Sequence, residues 1–163
     1  MKRIVPILYL AAILSACGNE SAQTVANDSI ATTVSRQDIV NAPAIEQVRA
    51  LEASGFRFVG VVNHTEESDP NNMLGRPGGY TSKVDFYDAR YPNSDDSMIS
   101  PNTIEVYETK NAATKRVEYI EAVTTDMPML RTYMYQSGAS VLRLDRELTP
   151  TIAREYEAAF VNQ

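Results

Sequence analysis

Lys83-Val84-Asp85-Phe86-Tyr87-Asp88 and Thr103-Ile104-Glu105-Val106-Tyr107-Glu108 decide the fold class. In both stretches apolar and polar side chains alternate with period two, the pattern of a strand that turns one face to a core. Val84/Phe86 and Ile104/Val106 are the inward pairs. The segment between them is rich in Pro and Asp, so the two strands read as a wide hairpin.

Upstream, Phe56 to Asn63 is rich in aromatic and β-branched residues, with Phe56, Phe58 and Val62 on one face and Val59 and Val61 on the other. Apolar on both faces, it predicts a central strand. A helix precedes it: Asn41-Ala42-Pro43 is a start, Ile45, Val48 and Leu51 recur at spacing three, and Gly55 is a stop. His64 to Ser82 contains Asp69-Pro70-Asn71-Asn72 and Gly75-Arg76-Pro77-Gly78-Gly79, which no regular element tolerates, and reads as a long loop.

Downstream, Ala113, Val117, Ile120 and Val123 give a helix over 111–123, closed by Met127-Pro128. Leu130 to Gln136 and Ser140 to Asp145 flank Gln136-Ser137-Gly138-Ala139, a tight hairpin. Thr149-Pro150 is a cap followed by proline at the first helical position, and Ile152, Tyr156, Ala159 and Phe160 are the buried stripe of a last helix. The order α-β-β-β-α-β-β-α predicts an α+β domain over residues 42–163, with a mostly antiparallel sheet of about five strands and helices on one face.

The chain has 163 residues, 44% hydrophobic and 22% charged, which suits one globular domain with attachments and excludes collagen, coiled coil or disorder throughout. A net charge of −6 leaves no basic stripe for phosphates, so nucleic acid is not an expected partner. One Cys makes no internal disulfide, and one His without a second Cys makes no standard zinc site. No metal and no cofactor is expected.

Met1-Lys2-Arg3 is positive, Ile4 to Leu14 is apolar, and Leu14-Ser15-Ala16-Cys17-Gly18 looks like the lipobox of bacterial lipoproteins at every position. That resemblance implies a signal peptide over 1–16, cleavage before Cys17 and diacylation of Cys17. The membrane is then a partner through the lipid, on the extracytoplasmic face of the cell membrane, or the outer membrane if the source is Gram-negative. Two acyl chains, at about 0.8 kcal/mol per buried methylene, anchor stably. An ordinary signal peptide would accept Ser15 and Ala16 too, but the single Cys falls where the lipobox needs it. Without 1–16 the chain keeps 13 basic and 21 acidic residues, a formal charge of −8. Residues 17–41 hold no aromatic side chain after the Cys and read as a flexible tether.

Catalytic fingerprints fail by position. The Walker pattern starting at Gly75 needs Gly then Lys where Tyr80 and Thr81 stand, Gly138-Ala139-Ser140 has Leu142 where a nucleophile elbow needs glycine, and no serine stands three residues before a lysine. His64, with Glu66, Glu67 and Asp69 nearby, is the one candidate general base, and a solvated loop histidine is its plainer reading. Asp69, Asn71 and Asn72 lack the EF-hand spacing, and a turn explains them, because Asp and Asn cap backbone amides while Pro70 fixes φ. No catalytic residue is assigned.

The stretch Asp69-Pro70-Asn71-Asn72-Met73-Leu74-Gly75-Arg76-Pro77-Gly78-Gly79-Tyr80-Thr81-Ser82-Lys83 resembles a group of small, uncharacterised bacterial lipoproteins, chiefly actinobacterial. The likeness runs more loosely through Ile104-Glu105-Val106-Tyr107, Tyr119-Ile120 and Leu148-Thr149-Pro150 to Glu155-Tyr156-Glu157-Ala158-Ala159. It implies an anchor and a shared fold, and no reaction. Within the stretch Gly75, Gly78 and Gly79 permit positive φ and close backbone approach, Arg76 offers a planar donor fork and Tyr80 a stacking face.

If Val84/Phe86, Ile104/Val106, Leu130/Met134 and Leu142/Leu144 face the helices, the opposite face carries Asp85, Tyr87, Glu105, Tyr107, Arg131, Tyr133, Tyr135 and Arg143. Tyr and Arg supply binding hot spots, although an antiparallel sheet commonly leaves one mixed face in water. Arg76, Tyr80, Tyr87, Tyr107, Arg131, Tyr133, Tyr135 and Arg143 are therefore the candidate binding residues. The leading expectation is a lipid-anchored module that binds an envelope protein, peptide or glycan. The alternatives are an extracytoplasmic enzyme, such as a hydrolase using His64 and loop carboxylates, and a structural envelope protein.

Overall fold

A computed structural model describes residues 42–91 and 100–162; Cys17, the tether and residues 92–99 lie outside them. The elements are α1 (Ala44–Ala53), β1 (Phe58–Asn63), β2 (Ser82–Asp88), β3 (Asn102–Val106), α2 (Lys110–Thr124), β4 (Tyr133–Ser137), β5 (Ser140–Leu144) and α3 (Pro150–Val161), with a 3-10 turn at Pro128–Leu130. The order is α-β-β-β-α-β-β-α. The five strands form one sheet, β1-β2-β3-β5-β4, with every neighbouring pair antiparallel. Class, strand number and element order are those the sequence predicts.

Local chemistry sets the ends. Pro43 stands immediately before α1, the Thr109 hydroxyl accepts from the Ala112 N–H at the start of α2, and the Thr149 hydroxyl accepts from the Ile152 N–H at the start of α3, with Pro150 at its first position. Gly138, at φ 55°, makes the turn between β4 and β5, where Ser137 pairs with Ser140.

α1 and α3 cover one face. Val48 and Leu51 of α1 and Tyr156 and Phe160 of α3 pack on Val84, Phe86, Ile104, Leu142 and Leu144. The Tyr156 ring lies 4.4 Å from Phe56 and its hydroxyl donates to Asp88 Oδ2 at 2.9 Å. Burial raises the Asp88 carboxyl, but hydrogen bonds from Arg90 and Tyr156 outweigh it and hold the group below the usual carboxylate range.

α2 is on the other face, a correction to the expectation of helices on one face only. Its Ala113 and Val117 join Leu74, Tyr80, Tyr107 and Val141 in a second cluster. Strand parity requires this, because Val141 points away from its neighbours Leu142 and Leu144 of the first core. The sheet is thus sandwiched, with the 64–81 loop and α2 as the second cover, and all five residues of β3 are buried.

Two strand assignments change. β1 is an edge strand, not a central one, and Val59, Val61 and Val62 are 40–47% exposed. The register to β2 shifts between Val59 and Val62, at Gly60 with φ 60°, so Val62, opposite Asp85, shares the face of Val59, opposite Tyr87, and not that of Phe58. In β4, Met134 is opposite Arg143, while Tyr133 and Tyr135 are opposite Leu144 and Leu142. Tyr133 and Tyr135 therefore pack against the first core, inverting the expected parity, and Leu130 lies in the 3-10 turn.

Candidate functional site

The second face begins with the loop, which is hung from one carboxylate. Asp69 Oδ2 accepts from the Met73 and Leu74 amides at 2.7 and 3.1 Å, Oδ1 accepts from Asn71 N at 3.3 Å, and the Tyr80 hydroxyl donates to the carboxylate at 2.7 Å. Lys83 Nζ, rising from β2, is 3.4 Å from Oδ1. Burial pushes the Asp69 carboxyl up, yet the donors from Met73, Tyr80, Leu74 and Asn71 hold it far below the usual range. The turn reading of Asp69 thus extends to the whole loop.

Glycine is needed where the loop closes on itself. A Cβ on Gly79 would stand 1.9 Å from the Met73 carbonyl oxygen, whereas one on Gly78, at φ 78°, would meet nothing within 4 Å. Gly79→Ala is expected to cost about 1–3 kcal/mol by overpacking, and Gly78→Ala about 1 kcal/mol by backbone strain alone. Thermal melts of the two variants check the order.

A second carboxylate, Glu105 of β3, is fully buried beneath α2. Arg116 of α2 donates to it from Nε and Nη2 at 3.1 and 3.2 Å, the Tyr107 hydroxyl donates to Oε2 at 2.8 Å, and Arg143 Nη1 of β5 is 3.4 Å from Oε1. Burial and the negative Glu105 push the Tyr107 phenol up, so it stays a neutral donor. Arg116 is thereby fixed with its guanidinium 6.0 Å from the Tyr119 ring.

Two concavities meet at these residues. One, of about 600 Å³, runs between the loop (Met73, Gly78) and α2 (Ala112, Lys115) and has Tyr107 in its wall. The other, of about 360 Å³, lies between the end of α2, the 3-10 turn and β5 and includes Arg131, Thr132, Arg143 and Arg146. Arg116 and Tyr119 line both. Tyr119, Met129 and Leu130 are 58%, 70% and 52% exposed there.

Of the candidate binding residues, the structure brings Tyr107, Arg131 and Arg143 to these concavities. Arg131 is braced across the C-terminal end of α2, donating to the Thr125 carbonyl at 2.8 Å. Tyr80 is fully buried, its hydroxyl spent on Asp69, so it offers no stacking face. Arg76 is exposed on the loop and bonds Asn72, Tyr87 lies half-buried under Gly60 of β1, and Tyr133 and Tyr135 are on the far face. Arg116, Tyr119, Thr132 and Arg146 are not among the candidate binding residues read from the sequence. The available signal was Arg116-x-x-Tyr119, one helical turn apart.

His64 is not a solvated loop side chain. Its Nε2 lies 2.7 Å from Asp85 Oδ2 and its Nδ1 3.1 Å from the Ser68 carbonyl oxygen, while Asp85 also takes the Thr103 hydroxyl at 2.7 Å and faces Lys83 at 3.5 Å. Both ring nitrogens are engaged, and His64 lines neither concavity. Glu67 takes the Thr65 hydroxyl and Asp69 holds the loop. Among the described residues no three His, Cys, Asp or Glu side chains converge to hold a metal ion, and no helix is long and apolar enough to cross a membrane. Comparison with protein-family models, with curated proteins and with solved structures returned no match.

Proposed function

We propose that the chain is a lipid-anchored extracytoplasmic binding module whose contact surface is the pair of concavities around Arg116 and Tyr119. The observation that carries this reading is their convergence: planar arginines held in place by Glu105 beside Tyr, Met and Leu side chains left exposed in concave surroundings. Anchoring rests on the Leu14-Ser15-Ala16-Cys17 pattern, and the partner class is an envelope protein, peptide or glycan. The hydrolase alternative places its histidine outside both concavities, with both ring nitrogens already engaged. An envelope spacer needs no such concave surface.

A photoreactive phenylalanine analogue at Tyr119 is expected to give crosslinked products in intact cells that the same analogue at the exposed Glu157 of α3 does not. Equal products from both positions, or none from Tyr119, overturn the assignment. Cys17→Ala should abolish metabolic palmitate labelling and leave the domain folded, since Cys17 serves as the acyl acceptor alone. Persisting label on that variant refutes the anchor.

A further inference from the structure

The two concavities carry a charge opposite to that of the chain as a whole. Lys115, Arg116, Arg131, Arg143 and Arg146 line them, and among the described residues the single acid in either lining is Asp145, itself buried. Glu105 pairs with Arg116 and Arg143 from beneath, and Glu147 pairs with Arg146. Five cations against three carboxylates leave two positive charges on this face, in a chain whose net charge is −6.

Helical phase accounts for the segregation. At about 100° per residue, Lys115 and Val123 lie within about 40° of Tyr119 around α2, whereas Glu118 and Glu121 lie about 100° and 160° away. A cation, an aromatic ring and an aliphatic side chain therefore form one row without a carboxylate in it. All three are exposed, so an incoming group reaches them directly, and Met129 and Leu130, also exposed, share the second concavity with Val123. Among the described residues Lys115 has no hydrogen bond or ion pair, which leaves its ammonium to a partner.

We propose that this face takes an acidic peptide segment that carries aliphatic side chains, with a carboxylate on Lys115 and the aliphatic groups on Val123, Met129 and Leu130. This rests on the binding-module reading and adds the chemical class of partner. The charge selects an anion. The apolar half of the row selects one with aliphatic side chains, which an anionic glycan lacks, and a concave face suits a chain segment better than the plane of a bilayer. Positions 115 and 123 are about 12 Å apart along the helix, a span that an extended peptide covers in about four residues.

The test titrates the intact ¹⁵N-labelled chain with the hexapeptide amide Glu-Glu-Ala-Ser-Leu-Leu. Lys-Lys-Ala-Ser-Leu-Leu, Glu-Glu-Ala-Ser-Ser-Ser, trigalacturonate and vesicles containing phosphatidylglycerol are titrated in parallel. Saturable amide shifts centred on Lys115, Tyr119, Val123 and Leu130 are expected with the first, weakening as salt rises, and at least tenfold weaker binding with either altered peptide. Lys115→Glu, at an exposed position that bonds nothing, should leave the thermal melt unchanged, weaken the acidic peptide about three- to tenfold and strengthen the lysine peptide. An altered peptide that binds as tightly as the first, a Lys115→Glu variant with unchanged affinities, or no saturable shift with millimolar acidic peptide overturns the inference. So does saturation by trigalacturonate or by the vesicles without any by the peptide. Each of these leaves the binding-module reading standing, and that reading falls separately on the Tyr119 crosslinks.

Discussion

Asp69→Ala is expected to remove about 3–5 kcal/mol of stability, the range for deleting one partner of a buried ion pair. Three backbone amides and the Tyr80 hydroxyl lose their acceptor together, the buried Lys83 ammonium is left with Asp85 alone, and Tyr80 cannot turn to water without dismantling the loop. In a domain of this size the melting temperature should fall by roughly 10–20 °C. Asp69→Asn keeps one carbonyl oxygen for the amides and should fall between. The pH dependence has a definite sign. A carboxyl depressed in the folded state contributes in full above its unfolded value, about 3.9, and loses that contribution as pH falls through its folded value. Urea melts of the parent chain should therefore weaken on acidification below about pH 4, and the Asp69→Ala curve should be flatter over that window. Asp88 shares the same direction and remains in the variant, so the dependence is reduced and not abolished. Parent and variant curves that run parallel would falsify the role given to Asp69.

Glu105→Ala is the other large loss, again about 3–5 kcal/mol, because it strands Arg116, Arg143 and the Tyr107 hydroxyl under α2. The informative comparison is with Arg116→Ala. Removing the arginine leaves Glu105 with Tyr107 and Arg143, and Arg116 is partly exposed, so its loss should be clearly smaller. Denaturant midpoints measure both. If Arg116→Ala proves as costly as Glu105→Ala, the carboxylate is not the hub that orders this face.

Regular elements were legible because each carries its own local signal. Lys83 to Asp88 shows period-two alternation, Thr149-Pro150 shows a cap, and Gly138 shows a turn, and each acts within a few residues. What failed was information that lies between elements. Along β4 both faces are amphipathic, Tyr133 and Tyr135 against Met134 and Gln136, so alternation alone does not say which face is inside; the pairing of Met134 with Arg143 does. β1 reads as central because its valines fill both faces, and the bulge at Gly60 is invisible to a pattern that assumes a regular pleat. The burial of Glu105 and the partial burial of Asp85 were hidden for a related reason. Charged residues on alternate strand positions look like a wet face until a helix and a loop bring their own hydrogen-bonding partners to cover it. The site inherits that gap, since Thr132 and Arg116 become neighbours of Arg143 only through the fold.

The break in register at Gly60 also governs how one copy of this chain meets another. β1 ends the sheet with three exposed valines, a composition that invites an incoming strand to add itself and start a stack. An intruder with a regular pleat can match β1 on one side of the extra residue and then falls out of step on the other. Its hydrogen bonds are limited to two or three residues at a time, too few to hold a marginal hairpin, let alone a fibre. The irregularity in the edge strand thus works as protection against self-association.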